Sequence, residues 1–167
     1  MDADTRKIPS HEVTYGRLRD MILFGHLEPG QPVTIQGLIR DLEAGTTPVR
    51  EAIRRLTAEG ALEPQGNRRV TVPRLEPAVL DQLAFARLTI EPRLAELAAA
   101  HLTPRLIDRL AALDDWVNVA IRAGDVGAYL TANHAFHFAL YEAAGAGVLL
   151  DMARSMKLRF GPSLRVV

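Results

Sequence analysis

"TTPVREAIRRLTAEGALEPQGNRRVTV", Thr46 to Val72, changes its periodicity halfway along. Up to Gly60 the apolar residues Val49, Ala52, Ile53 and Leu56 recur at i, i+3, i+4 and i+7, the spacing of one buried helical stripe. Thr47 is suited to cap that helix. Pro48 suits its first position, where a missing N–H costs nothing. Gly60 is expected to end it. Beyond, "ALEP" and "RRVTV" flank "QGN" and read as two strands of a hairpin with a glycine-containing loop.

Toward the N-terminus, Val33 reads as a short strand, and Thr34 as the cap of a helix whose Leu38, Ile39 and Leu42 share a face. The turn "LEPGQP" precedes it, with Pro29 fixing one backbone angle and Gly30 free to take a positive one. Before that turn a first helix is expected from Ser10 or Thr14 to about Gly25, carrying Val13, Leu18, Met21, Ile22 and Leu23. Helix, helix, helix, hairpin is the order of a winged helix-turn-helix, whose third helix enters a DNA major groove while the hairpin flanks it.

Toward the C-terminus, Pro73 and Pro77 bracket "RLE", which reads as a linker between domains at 1–74 and 75–167. No strand pattern follows. "VLDQLAFARLTIEPRLAELAAAHL" predicts one helix, kinked at Pro92. Another follows the Thr-Pro of "TPRLIDRLAALDDWVNVAIRAG", a third spans about Asp125 to Ala144, and a fourth covers "VLLDMARSMKLRF". The fold class expected is mostly α: an N-terminal winged helix-turn-helix with a small hairpin wing, then an all-α bundle.

Composition narrows the functions. With 48% hydrophobic and 24% charged residues the 167-residue chain has an ordinary globular balance, long enough for one large or two small domains. It contains no cysteine, which excludes disulfides, thiolate zinc sites and cysteine nucleophiles, and fits a reducing compartment. The N-terminal stretch lacks a signal-type apolar core, and no segment approaches the roughly 18 apolar residues of a membrane span. A cytoplasmic location with no membrane partner is expected. Formal net charge is zero, and residues 1–74 carry 11 Lys+Arg against 10 Asp+Glu, so any basic surface must be local.

Such a surface is available. Thr47, Arg50 and Arg54 fall at i, i+3 and i+7 on the side opposite the apolar stripe, within reach of one external partner. An arginine there can grip a guanine edge with two bonds or bind phosphate. Arg68 and Arg69 alternate across the wing, so one can face the phosphate backbone. Spacing alone equally allows a merely solvated face, with Glu51 and Arg55 forming an i, i+4 pair.

"YGRLRDMILFGHLEPGQ", "TPVREAIRRLTAEGAL" and "NRRVTV" together resemble the N-terminal domain of GntR-family bacterial transcriptional regulators, over roughly residues 12–73. The resemblance implies a homodimer that binds palindromic operators in double-stranded DNA, with Arg50 as the base-reading arginine. The DNA-facing set expected is Thr34, Gln36, Thr46, Thr47, Arg50, Arg54, Asn67, Arg68 and Arg69. Gln36 stands where the family often has arginine, and Gly45-Thr46 where it often has Ser-Arg. Both departures bear on the operator sequence.

In "ANHAFHFAL", Asn133 and His137 are four apart and share a helix face with Leu130 and Leu140 nearby, while His134 lies three from His137. Imidazole and an oxygen donor can share a divalent metal, but two ligands do not make a site, and spacing alone favours a partly buried histidine among apolar neighbours. No "HExxH", no glycine-rich phosphate loop and no Ser/His/Asp set is present. Glu142, five residues from His137, points to another face. An enzyme is not expected.

"DQLAFARLTIEPRLAELAA" and "GDVGAYLTANHAFHFALYEAAG" are similar to the all-helical FCD domain of FadR-type GntR regulators. That likeness implies a bundle around a cavity for a small organic-acid effector, often with a divalent metal of zinc or nickel type. Asn133 and His137 match its ligand pair, Asn133 being the neutral variant. Arg87 and Glu91 match the polar pair of the first bundle helix, and Arg87 is suited to a two-pronged carboxylate contact. The effector set implied is therefore Arg87, Asn133 and His137. The family domain carries two further helices and two further histidine ligands, whereas this sequence ends at "RFGPSLRVV". A three-histidine site is accordingly not expected here, and part of the bundle's apolar surface is expected to lie open.

These readings converge on a sequence-specific DNA-binding regulator, repressing by family habit. Its effector would shift two DNA-reading heads between states. The alternative is a dimerising, protein-interaction module whose winged helix does not read DNA.

Overall fold

The computed structural model describes residues 10–166. The chain folds as two compact units. One gathers the residues up to Ile22 with Leu27–Pro73; the other gathers Leu23–His26 with the residues from Arg74 onward.

The first unit contains α1 (Ser10–Leu23) except its last residue, with β1 (Val33–Thr34), α2 (Ile35–Asp41), α3 (Thr46–Ala58), β2 (Glu63–Gln65) and β3 (Arg69–Thr71). This is a winged helix-turn-helix. Its core joins Leu18 and Ile22 of α1 to Leu38, Leu42, Val49, Leu56 and Leu62, all buried. Val13 lies off that seam and is exposed, contrary to its expected place in the apolar stripe. The buried line of α1 runs Thr14, Leu18, Ile22 at i, i+4, i+8, so Thr14 is an interior residue of the helix rather than its cap. The Ser10 side chain lies outside the described residues.

The three strands pair antiparallel in the order β1-β3-β2, with Val70 of β3 opposite both Val33 and Pro64. Val70 and Val72 are buried, anchoring β3 to the core and leaving β2 wholly exposed as a free-standing wing edge. At the wing tip the left-handed backbone falls on Asn67 (φ 61°) and Arg68 (φ 57°), not on the glycine of the loop. Asparagine tolerates that region better than most residues, which suits it to the tip.

The start of α3 also differs from expectation. Its N-cap is Gly45, without a side-chain cap bond, and Val49 N–H donates to Gly45 O at 3.3 Å. Thr46 and Thr47 are already helical and Pro48 is the third helical residue. Proline is tolerated there because the first four helical N–H groups have no partner inside the helix. Gly60, at φ 73°, ends the helix as expected, in a conformation that favours glycine.

The second unit holds α4 (Pro77–Ala99), α5 (Pro104–Ala123), α6 (Val126–Glu142) and α7 (Gly147–Phe160), followed by a 3₁₀ turn at Gly161–Val166. α5 packs along α6, and α4 against α6 and α7. Leu83, Leu94, Ala98, Phe138, Tyr141, Ala153 and Met156 fill the core between them. α4 runs through Pro92 without interruption. The Thr-Pro start of α5 is as expected: Thr103 Oγ1 accepts from Leu106 N–H at 3.2 Å, and Gly124 closes the helix at φ 65°. Among the described residues no helix is long and apolar enough to cross a membrane.

Candidate functional site

Two constellations stand out, one in each unit. In the first, Thr34 Oγ1 accepts from Gly37 N–H at 3.0 Å and caps α2, which presents Gln36 to solvent. Arg17 of α1 donates to the Leu42 carbonyl at 2.7 Å, satisfying one of the last carbonyls of α2. The stripe Val49, Ala52, Ile53 and Leu56 is buried against these elements. Thr46, Thr47, Arg50 and Arg54 are therefore turned outward and exposed, as are Asn67, Arg68 and Arg69 on the wing.

The three arginines of α3 have different partners. Arg54 is paired with Glu51, one turn earlier, through Nε to Oε2 at 3.1 Å. That carboxylate holds the guanidinium above its ordinary pKa, and Arg54 in turn holds Glu51 below the carboxylate range. Arg55 donates to Glu59, the C-cap of its own helix, and to Glu12 on α1, both at 3.2 Å, and its guanidinium covers the Tyr15 ring. The Glu51–Arg55 pair envisaged from spacing is thus replaced by Glu51–Arg54 and Arg55–Glu59. Arg50 forms no ion pair or side-chain hydrogen bond among the described residues. The first turn of α3 carries no acidic side chain, so the positive end of the helix dipole is not offset there. An uncompensated guanidinium beside such a helix start is suited to an anionic partner.

The second constellation lies between α4, α6 and α7. Arg87 donates to both oxygens of Glu91, at 2.6 and 3.1 Å, so the two-pronged contact foreseen for an effector is made within the chain. Tyr141 Oη donates to Glu91 Oε2 at 3.2 Å and lies 3.3 Å from His137 Nδ1. Because a carboxylate can only accept, the phenol proton belongs to Glu91, and the His137 contact then requires a proton on Nδ1. A relay results: His137 to Tyr141 to Glu91, with Arg87 on the far side. Burial pushes His137 below the imidazole range, with Lys157 and Arg87 adding to it and Glu91 opposing. Burial and Glu91 raise the Tyr141 phenol.

Asn133 is engaged differently. Its Oδ1 accepts from Lys157 Nζ at 3.1 Å, and Lys157 is only 6% exposed. Burial, with Arg87 adding to it, lowers the Lys157 pKa to about 8, against the pull of Glu91. The sequence reading missed this residue. Its signal was present: Ala153, Met156, Lys157 and Phe160 are spaced i, i+3, i+4, i+7, which puts the lysine on the inner stripe of α7. A cavity of about 510 Å³ opens beside the relay, lined by Arg87, Glu91, His137 and Tyr141 among apolar residues of α4 and α6.

The divalent metal implied by the likeness of the helical unit does not fit these donors. Among the described residues no three His, Cys, Asp or Glu side chains could hold one together. Of the expected pair, Asn133 already accepts from an ammonium. His134 belongs to an aromatic stack, 4.5 Å from the Phe138 ring centre, rather than to the Asn133–His137 pair.

The fold and these two constellations define a winged helix-turn-helix protein with a helical C-terminal domain. The model of bacterial regulatory proteins of the gntR family matches residues 11–72, and that of the FCD domain matches residues 82–166. The chain belongs to the GntR family and carries an FCD domain. It is 30% identical over 147 residues to the HTH-type transcriptional regulator McbR of Escherichia coli (strain K12), covering 88% of this chain and 66% of that protein. It is 30% identical over 136 residues to the Nta operon transcriptional regulator of Aminobacter aminovorans, covering 80% of this chain and 63% of that protein. It thus spans a little under two thirds of the length of these curated relatives. The solved structure of E. coli McbR/YncC superposes with a TM-score of 0.89 at 28% identity, over 96% of this chain and 76% of that one. A GntR transcriptional regulator from Rhodococcus sp. RHA1 shares the fold, with a TM-score of 0.73 at 23% identity over 93% of this chain and 74% of that one.

Proposed function

We propose that this protein is a cytoplasmic, homodimeric transcriptional regulator that reads operator DNA with α3 and the wing, and that represses. In this reading residues 1–74 form the DNA-binding domain, and residues 75–167 the effector-binding and dimerisation domain. The observation that carries it is Arg50: exposed, without an acidic partner among the described residues, on the outward face of a helix whose inner face is fully buried. Such a guanidinium is available for a guanine edge. Thr46 and Thr47 at the helix start, with Thr34 and Gln36 on α2, are suited to phosphate and base contacts alongside it. Arg54 joins once it exchanges Glu51 for phosphate, and Asn67, Arg68 and Arg69 reach the flanking backbone.

The helical unit, in the same proposal, senses a small organic acid in the cavity beside Arg87 and His137. Arg87 lines that cavity paired with Glu91, and the buried Lys157 ammonium, bonded to Asn133, is a second cation of the same unit. Dimerisation through this unit is supported by its exposed apolar side chains, Phe85 at 75% and Leu88 at 77% on α4 among them.

The test starts by selecting binding sites from random duplexes, then titrates the selected site against salt. Affinity that falls steeply with salt, and is lost with Arg50→Ala, supports the reading. Affinity for no duplex, or salt-insensitive binding to another protein through α3, leaves the interaction-module reading in its place.

A further inference from the structure

The FCD likeness implies a divalent ion beside Asn133 and His137, and the side chains found there disagree with it. An ion held by Asn133 would lie about 2.0–2.2 Å from Oδ1. That oxygen accepts from Lys157 Nζ at 3.1 Å, so the ion and the ammonium would crowd against the same atom. Lys157 is 6% exposed and forms no ion pair among the described residues, so it has little room to swing into water. Charge points the same way. Arg87 is neutralised by its two-pronged contact with Glu91. Lys157 then leaves one positive charge in excess, which repels a divalent cation and attracts an anion.

We propose that the Lys157 ammonium stands where the metal would otherwise sit, so that the helical unit carries a built-in cation and operates without a divalent ion. Lys157 is then a positioning residue: it orients the Asn133 amide and supplies the positive charge beside it. This rests on the FCD likeness of the unit but not on the identity of any effector, nor on DNA binding.

The decisive experiment is calorimetric titration of the full chain, stripped with EDTA, against zinc chloride and nickel chloride. The parent is expected to take up no stoichiometric ion at micromolar concentration. Lys157→His, which places a third ligand-type side chain beside Asn133 and His137, is expected to bind one equivalent, at least about tenfold tighter than any residual uptake by the parent. His137→Ala in that background should remove it again. One equivalent bound by the parent and lost with His137→Ala overturns the proposal. So does a folded Lys157→His variant, verified by circular dichroism, that gains no binding. Failure of the regulator reading would instead appear as absent DNA binding, which leaves the metal titration unchanged.

Discussion

The guanidinium of Arg55 lies 3.7 Å above the centre of the Tyr15 ring, while Tyr15 Oη donates to Glu59 at 2.9 Å. α3 is thereby clasped to α1 from both ends of one short network, with Glu12 as a further acceptor. Arg55 is thus committed to holding α3 in place. Arg55→Ala should cost the first unit about 1 kcal/mol, in keeping with an exposed cation–π contact and partly screened ion pairs. Urea unfolding of this unit measures it. DNA affinity should fall less than with Arg50→Ala, and the reverse ranking would contradict this division of labour.

Arg50 has no competing partner among the described residues, so its removal should be felt chiefly in the complex. Arg50→Ala is expected to weaken specific binding by about 1–3 kcal/mol and to relax base preference at one position per half-site. Unfolding should be nearly unchanged. Equal operator affinity of mutant and parent in a gel-shift titration would falsify the base-reading role.

Glu51 restrains Arg54 in the free protein. Glu51→Gln should therefore tighten DNA binding, by freeing a cation and removing a negative charge from the DNA-facing side. The salt dependence should steepen by about one counterion, as for one added phosphate contact. Weaker binding by Glu51→Gln would place this helix face away from DNA.

Leu56 of α3, in the first unit, is fully buried, among the largest side chains with no exposed surface. Leu56→Ala should destabilise that unit by about 2–5 kcal/mol, the range for emptying a close-packed leucine site. A unit of this size has little stability to spare, so much of it should be unfolded at physiological temperature. Circular dichroism during thermal unfolding reads the effect directly.

In the helical unit, Tyr141 Oη bridges His137 and Glu91. Tyr141→Phe leaves the Arg87–Glu91 pair intact but removes the only acceptor proposed for the His137 Nδ1 proton. A loss of about 1–3 kcal/mol is expected from the partners left unsatisfied. Nitrogen NMR of the imidazole should also show its tautomer populations change. An unchanged spectrum would mean that the relay does not exist.

Much of this was legible in the chain alone. The 3.6-residue stripe of α3, the strand alternation after Gly60, the Thr103–Pro104 helix start and the order of elements all depend on neighbours within a turn or two. Short-range sterics and amphipathicity settle such features, and a sequence displays both directly. What lay beyond reach depends on long separations. Arg55 meets Glu12 across 43 residues, Tyr141 meets Glu91 across 50, and Lys157 meets Asn133 across 24. Whether Arg50, Arg54 or Arg55 stays open to a partner depends on which carboxylates folding brings alongside, and all three look alike in one dimension. The same holds for Asn133, whose oxygen packing sets against the Lys157 ammonium. The sequence by itself determined the helices, the wing and the family, because local periodicity encodes which face is buried. Only the tertiary structure decided which charges are spent internally and which remain, because pairing energy depends on distance through space and not along the chain.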